Sequence, residues 1–260
     1  MQARDYRYFD TGFAALAHRG GYAADTDRTR ENTLFAFTSA AALGYRYLET
    51  DVHVSSDGVL FSFHDDTLDR VTDARGIPER LPWTELRQVR VGGRDPIATM
   101  DELFEALPRA RFNIDLKVPG AIEPLARTIE AHRAHDRVCV GSFSPAGIRA
   151  FRRLVGNRVA TAVGPWGVAW AGYARGLRRI VRSPGVALQV PARTWHDRVP
   201  VLTRGLVRAA HAGGRVVHVW TVNDPAEMHR LIDLGVDGLV SDRIDVLKAV
   251  LIERDRWEEN

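Results

Sequence analysis

Residues 47–64 read YLETDVHVSSDGVLFSFH. Tyr47–Val54 has the β-branched and aromatic content of a strand, Ser55-Ser56-Asp57-Gly58 is a turn signal, and Val59–Phe63 is a second strand. The connection is too short for a crossover helix. The second strand must therefore fold back antiparallel, as a hairpin reaching beyond any parallel sheet. Outward from this hairpin the chain alternates. Strands are predicted near residues 14, 47, 112, 138, 159, 186, 216 and 238. Helical segments are predicted at 33–43, 101–107, 122–134, 145–155, 170–181, 199–212, 225–234 and 244–254. Gly44 closes the first of these as a C′ residue. Alternating β and α elements with apolar strands imply an α/β protein, and eight units favour a closed barrel over an open sheet. The expected fold is a (β/α)8 TIM barrel spanning residues 1–260 as a single domain. Residues 64–100 break the rhythm with Asp, Arg, Gly and Pro and are expected to form a small insertion near the barrel mouth, after the antiparallel fold-back strand.

Composition bounds the function classes. The 260 residues, 45% hydrophobic, suffice for one large core and match the ~250 residues typical of such a barrel. The net charge is +3, but the basic residues are dispersed without any block of five or six, so nucleic acid is not an expected partner. No apolar run approaches a membrane span and the N-terminus lacks an apolar signal region, so neither membrane insertion nor secretion is expected. Cys139, the only cysteine, sits between Val138 and Val140 as a buried strand thiol and fits a reducing, cytoplasmic location. Only two of the 36 basic residues are Lys, namely Lys117 and Lys248. A Lys in an otherwise apolar strand stands out, because ammonium and guanidinium are not interchangeable in a tight site.

In a barrel of this kind active sites form at the C-terminal strand ends. The first strand ends in His18-Arg19, the second carries Glu49 and Asp51, and the fold-back strand ends in His64-Asp65. The third barrel strand carries Asn113, Asp115 and Lys117; the seventh carries Trp220, Thr221 and Asn223; the eighth ends in Ser241-Asp242. Strand residues i and i+2 share a face. Glu49 and Asp51 would repel one another there unless a cation lay between them, and oxygen-only ligation suits Mg²⁺ or Ca²⁺. Asp115 is placed to add a third carboxylate, with Lys117 on the same face. Two histidines beside such a cluster suit the acid and base of phosphodiester hydrolysis, and Arg19 and Lys117 would neutralise phosphoryl oxygens.

These residues carry a resemblance. His18-Arg19-Gly20, Glu31-Asn32-Thr33, Glu49-Thr50-Asp51-Val52-His53, Asp57-Gly58 and His64-Asp65 are similar, in order, to the signature of the glycerophosphodiester phosphodiesterase family. So are Asn113 through Lys117, Ser142-Phe143, Val219 through Asn223, and Gly235 through Gly238 leading to Ser241-Asp242. The resemblance implies a (β/α)8 barrel with an insertion after the His-Asp pair. It implies His18 and His64 as the acid–base pair; our own expectation, which the resemblance leaves open, is His18 as base and His64 as acid. It implies one divalent cation on Glu49, Asp51 and Asp115, phosphate binding by Arg19 and Lys117, and Trp220 in the pocket wall. The implied activity is hydrolysis of a glycerophosphodiester to sn-glycerol 3-phosphate and an alcohol. The alternatives are phospholipase D-like action on lysophospholipids, with Trp83, Trp166 and Trp170 as an apolar patch, and a non-catalytic barrel that binds phosphorylated ligands. Two departures stand out. Many members have Glu where this chain has Asp115, and the stretch YAADTDRTR at 22–30 is long and charged. Glu31-Asn32-Thr33 also reads as a helix start with Asn as the N-cap. His53 is a candidate supporting partner of Asp51. His196, His211, His218 and His229 carry no interpretable spacing.

Overall fold

The computed structural model describes residues 1–10, 12–163, 184–192 and 202–258. The hairpin opens as the sequence requires. β1 (Ala14–Tyr22) is followed by α1 (Leu34–Ala42), β2 (Tyr47–Val54) and a fold-back strand β3 (Leu60–Ser62). β3 runs antiparallel to β2, with Val52 opposite Ser62 and Val54 opposite Leu60. The insertion then contributes α2 (Trp83–Leu86) and a small hairpin of β4 (Arg90–Val91) and β5 (Asp95–Pro96). It encloses an apolar cluster of its own, built from Phe61, Phe63, Leu68, Leu86, Val89, Val91 and Ile97. The regular alternation resumes at α3 (Met100–Ala106), whose N-cap Thr99 forms a capping box with Glu102.

Beyond it come β6 (Arg111–Leu116), α4 (Ile122–Ala131), β7 (Val138–Gly141), α5 (Pro145–Val155) and β8 (Ala160–Val163). β9 (Ala187–Pro191), α6 (Arg204–Ala212), β10 (Val216–Trp220), α7 (Pro225–Leu234), β11 (Gly238–Arg243) and α8 (Ile244–Glu253) complete the order. The strands other than β3, β4 and β5 pair in parallel in chain order, and β1 pairs with both β2 and β11, so the barrel closes. Its eight strands begin within one residue of the predicted positions. The helix expected at 170–181 and the start of the one expected at 199–212 lie outside the described residues. Among the described residues no helix is long and apolar enough to cross a membrane.

The alternation of strand residues sorts the core into two layers. Ala15 and Ala17 of β1, Leu48 and Val52 of β2, and Phe112, Ile114 and Leu116 of β6 pack in one cluster with the helices. Ala14, Leu16, Tyr47, Cys139, Ala160, Ala187 and Val240 form a second cluster in the barrel interior. Residues 3–9 plug its lower end. There the Tyr47 hydroxyl and an Arg111 guanidinium N–H donate to the Tyr8 carbonyl at 2.7 and 2.9 Å. Above this apolar floor the inward positions become polar: His18 on β1, Glu49 and Asp51 on β2, Asn113 and Asp115 on β6.

Candidate active site

Strand register assembles the carboxylates. His18 lies opposite Glu49 across β1 and β2, and Asp51 lies opposite Asp115 across β2 and β6. Glu49 and Asp51 are buried. The Lys117 ammonium, just past the end of β6, bridges Asp51 Oδ1 at 2.8 Å and Asp115 Oδ2 at 2.9 Å. Arg19 reaches the same group from β1: its backbone N–H donates to Glu49 Oε2 (3.1 Å) and its Nε lies 3.3 Å from Asp51 Oδ2. That reach depends on a left-handed turn. Arg19, Gly20 and Gly21 all have positive φ. A side chain on Gly20 would place its Cβ 2.6 Å from the Ala36 Cβ of α1, so glycine lets strand and helix meet there.

Both histidines are anchored through Nδ1. His18 donates to Asp242 Oδ1 (2.6 Å), and Asn223 Nδ2 donates to Asp242 Oδ2 (2.8 Å). His64 donates to Asp65 Oδ1 (2.6 Å), and the Arg70 guanidinium grips Asp65 at 2.5 and 2.9 Å. Arg70 extends the network by donating to both Glu31 oxygens (3.1 and 2.7 Å), while Glu31 accepts from Arg19 Nη1 at 2.9 Å. Each imidazole is therefore left with Nε2 for proton exchange.

The electrostatics follow from burial and pairing. Burial raises the Glu49 carboxyl well above the usual carboxylate range, and the Asp51 charge raises it further. Burial also raises Asp115, with Lys117 working against it. For Asp51 burial is outweighed by Lys117 and Arg19, and the group ends lowered. Burial lowers Lys117, but Asp51 and Asp115 overcome it and hold the ammonium charged. Burial works to lower His18 too, yet Glu49 and the Asp242 hydrogen bond leave it raised. His64 stays lowered, because burial outweighs Asp51 and Asp65.

A cavity of about 120 Å³ brings the expected site residues together, with His18, Arg19, Glu49, Asp51, His64, Asp115, Lys117 and Trp220 all in its lining. Phe143 stands edge-on to Trp220, ring centroids 6.0 Å apart, and beneath the Lys117 ammonium. Glu49, Asp51 and Asp115 set three carboxylates against the two cations Arg19 and Lys117, and oxygen-only donors suit a hard divalent cation. In donor chemistry and charge the cluster fits such an ion. Among the described residues, no three His, Cys, Asp or Glu side chains converge tightly enough to enclose one. Lys117 occupies the space between Asp51 and Asp115.

Several side chains differ from their sequence reading. Thr33, not Asn32, caps α1, accepting from the Ala36 N–H at 3.2 Å. Asn32, held at positive φ, is buried and donates to Asp51 Oδ2 (3.2 Å), while its carbonyl oxygen accepts from Thr50 and Ser62. His53 turns away from Asp51 to pair with Glu79 and stack on Phe61. Trp83 packs on Phe61 in the insertion, while Trp166, Trp170 and His196 lie outside the described residues. His211 bonds Asp237 (2.8 Å), and His229 lies 3.4 Å from Glu253. Asp242 and Asp65, to which the sequence reading gave no role, and Arg70, which it did not single out, join the site as anchors. The first two were visible as acids beside a candidate residue or at a strand end. Arg70 lies in a segment without periodicity and gave no signal.

The chain matches the glycerophosphoryl diester phosphodiesterase family over residues 18–246. A Mycobacterium tuberculosis protein named "Probable glycerophosphodiester phosphodiesterase 2" is 41% identical, covering 95% of this chain and 94% of that protein. The glycerophosphodiester phosphodiesterase of Caldanaerobacter subterraneus subsp. tengcongensis is 27% identical over 89% of this chain and 95% of its own length. Among solved structures, an Oleispira antarctica phosphodiesterase in complex with the product sn-glycerol-3-phosphate superposes with a TM-score of 0.78. It is 23% identical and covers 93% of this chain and 97% of its own.

Proposed function

The chain belongs to the glycerophosphoryl diester phosphodiesterase family, and from that premise we propose that it hydrolyses glycerophosphodiesters to sn-glycerol 3-phosphate and an alcohol, with His18 and His64 as the acid–base pair and one divalent cation on Glu49, Asp51 and Asp115. One observation carries the reading. Two imidazoles, each fixed through Nδ1 by its own carboxylate, face the same cavity as the carboxylate cluster and its two cations.

A phosphodiester in that cavity presents its non-bridging oxygens to Arg19 and Lys117, which neutralise charge as it builds. One imidazole takes the proton of the attacking hydroxyl, of water or of the substrate's own glycerol, and the other protonates the departing alkoxide. Pairs of this kind supply roughly 10²–10⁴-fold in rate. When bound, the cation, Mg²⁺ or Ca²⁺, adds Lewis-acid polarisation of the phosphoryl oxygens. Lys117 bridges Asp51 and Asp115, favours the charged form of each, and holds them facing the cavity. The buried single thiol of Cys139 supports a reducing, cytoplasmic location.

The test is turnover of sn-glycerol 3-phosphate esters after EDTA treatment, with Mg²⁺, Ca²⁺ and Mn²⁺ added back in turn. Activity should vanish on chelation and return with at least one ion. Undiminished turnover in the chelator would remove the metal from the mechanism, and no turnover under any condition would remove the activity.

A further inference from the structure

Two openings meet at His18 and Arg19. One is the cavity of about 120 Å³. The other is a pocket of about 680 Å³, within the roughly 300–1,000 Å³ of ligand-binding clefts. The charged stretch between β1 and α1 forms one wall with Tyr22, Arg28 and Thr29, and the insertion forms the other with residues 70–73 and Gly92. Three contacts fasten the walls together. Arg30 grips Asp95 at 2.5 and 2.8 Å, and Arg70 grips Glu31. Gly92 lies so close to Thr29 that a Cβ there would sit 2.9 Å from the threonine hydroxyl. The pocket is thus preformed, not assembled by its ligand.

Its chemistry is selective. The lining mixes guanidinium, carboxylate and hydroxyl groups, and Val71 is its one aliphatic side chain. An alkyl chain there would strip water from charged groups and return no hydrogen bonds. A quaternary ammonium is recognised by a cage of aromatic faces, and here Tyr22 stands without a second phenol, indole or phenyl ring. A polyol suits both signs, since every hydroxyl donates and accepts.

A phosphodiester carries two arms. The small cavity, walled by Phe143 and Trp220, suits the three-carbon arm, and the larger pocket, lined mainly by charged and hydroxyl side chains, shares His18 and Arg19 with it. We propose that this pocket receives the alcohol arm of the diester and selects a polyhydroxylated alcohol; the inference rests on the hydrolytic reading above. The leaving oxygen then lies beside His18. As the attacking hydroxyl oxygen bonds to phosphorus, its proton passes to His64 Nε2. The bond from phosphorus to the polyol oxygen breaks, and His18 Nε2 gives that oxygen a proton. This reverses the roles expected from the sequence.

The test compares kcat/KM for the inositol, choline, hexyl and methyl esters of sn-glycerol 3-phosphate. The inositol ester should exceed the choline and hexyl esters at least fivefold, and a smaller margin overturns the polyol class. Arg28→Trp fills the pocket from its exposed rim. It should lower the inositol-to-methyl ratio of kcat/KM more than fivefold, with Arg28→Ala changing it in the same direction by less. A ratio that falls fivefold or less in Arg28→Trp overturns the pocket's assignment. Failure of every ester to turn over with any divalent ion overturns the hydrolytic reading, and the subsite with it.

Discussion

Lys117 is the residue around which the charges of the site are arranged. It is one of two lysines in an arginine-rich chain, and its ammonium lies between Asp51 and Asp115 as a compact point charge, which a planar guanidinium fork would not reproduce. Asp115 therefore serves Lys117 directly, and its short side chain sets how far it can also serve a cation. Asp115→Ala should weaken divalent-ion affinity roughly 10–100-fold, as loss of a metal's supporting or ligating carboxylate does, with a much smaller change in thermal midpoint. An unchanged metal titration would leave Asp115 as a partner of Lys117 alone. The histidine roles separate by leaving group. If His18 is the acid, His18→Ala should cost about 10²–10⁴-fold on an alkyl ester and far less on a p-nitrophenyl ester, whose phenolate departs unprotonated. His64→Ala should cost the same on both, and equal losses for His18→Ala would restore it as the base. The main site residues were legible because i and i+2 positions on strands share a face: Glu49 with Asp51, Asp115 with Lys117. Their anchors were less so. Asp242 reaches His18 across the closure of β1 on β11, 224 residues away in the chain, and no local pattern reports such a contact.

At the scale of elements, the insertion is tied to the barrel mouth by ion pairs more than by strand pairing. Asp65 shows the consequence. The Arg70 hydrogen bonds hold its carboxyl down to about 2, against an ordinary value near 3.8, with the His64 hydrogen bond helping. Its folded value is depressed, so the stability it contributes is fully present above about pH 4. That stability is lost as pH falls towards 2, because the unfolded chain binds the proton first. Unfolding free energy should therefore decline with pH through this window, and the Asp65-linked part of the decline should disappear in Arg70→Gln. An identical slope in wild type and variant would show that Asp65 is not held by Arg70 in solution. The sequence marked where this element begins, at the fold-back strand, because a four-residue turn permits no crossover. Its interior was unreadable. Residues 64–99 hold short strands, turns and the four-residue helix α2, whose apolar residues meet in a separate cluster, so neither a period of two nor of 3.6 runs long enough to register.

The whole molecule is a closed barrel, and closure explains a histidine that the sequence left without a role. His218 of β10 is fully buried in the barrel interior beside Phe9, opposite Gly238 of β11. Gly238 has no room for a side chain: a Cβ would lie 2.6 Å from the Ala14 carbonyl of β1, where the last strand meets the first. Strand order and closure were legible from eight apolar runs in alternation, but which inward positions would be polar without chemistry was not. His218 Nδ1 has no hydrogen-bond partner among the described residues, and burial lowers the imidazole to about 4, with Asp237 opposing weakly. The ring is therefore neutral in the folded barrel while the unfolded chain titrates near 6.5. Above that pH the two states bind the same number of protons at this position. Below it the unfolded state gains a proton that the barrel refuses, so stability falls as pH drops from about 6.5 towards 4. The loss should be on the order of 3 kcal/mol for a shift of this size. Chemical denaturation of wild type and His218→Leu at intervals from pH 7.5 to 4.5 measures it. The wild-type free energy should slope downward through this window and the variant's should be flatter. Parallel curves would mean that the imidazole takes up its proton inside the folded barrel.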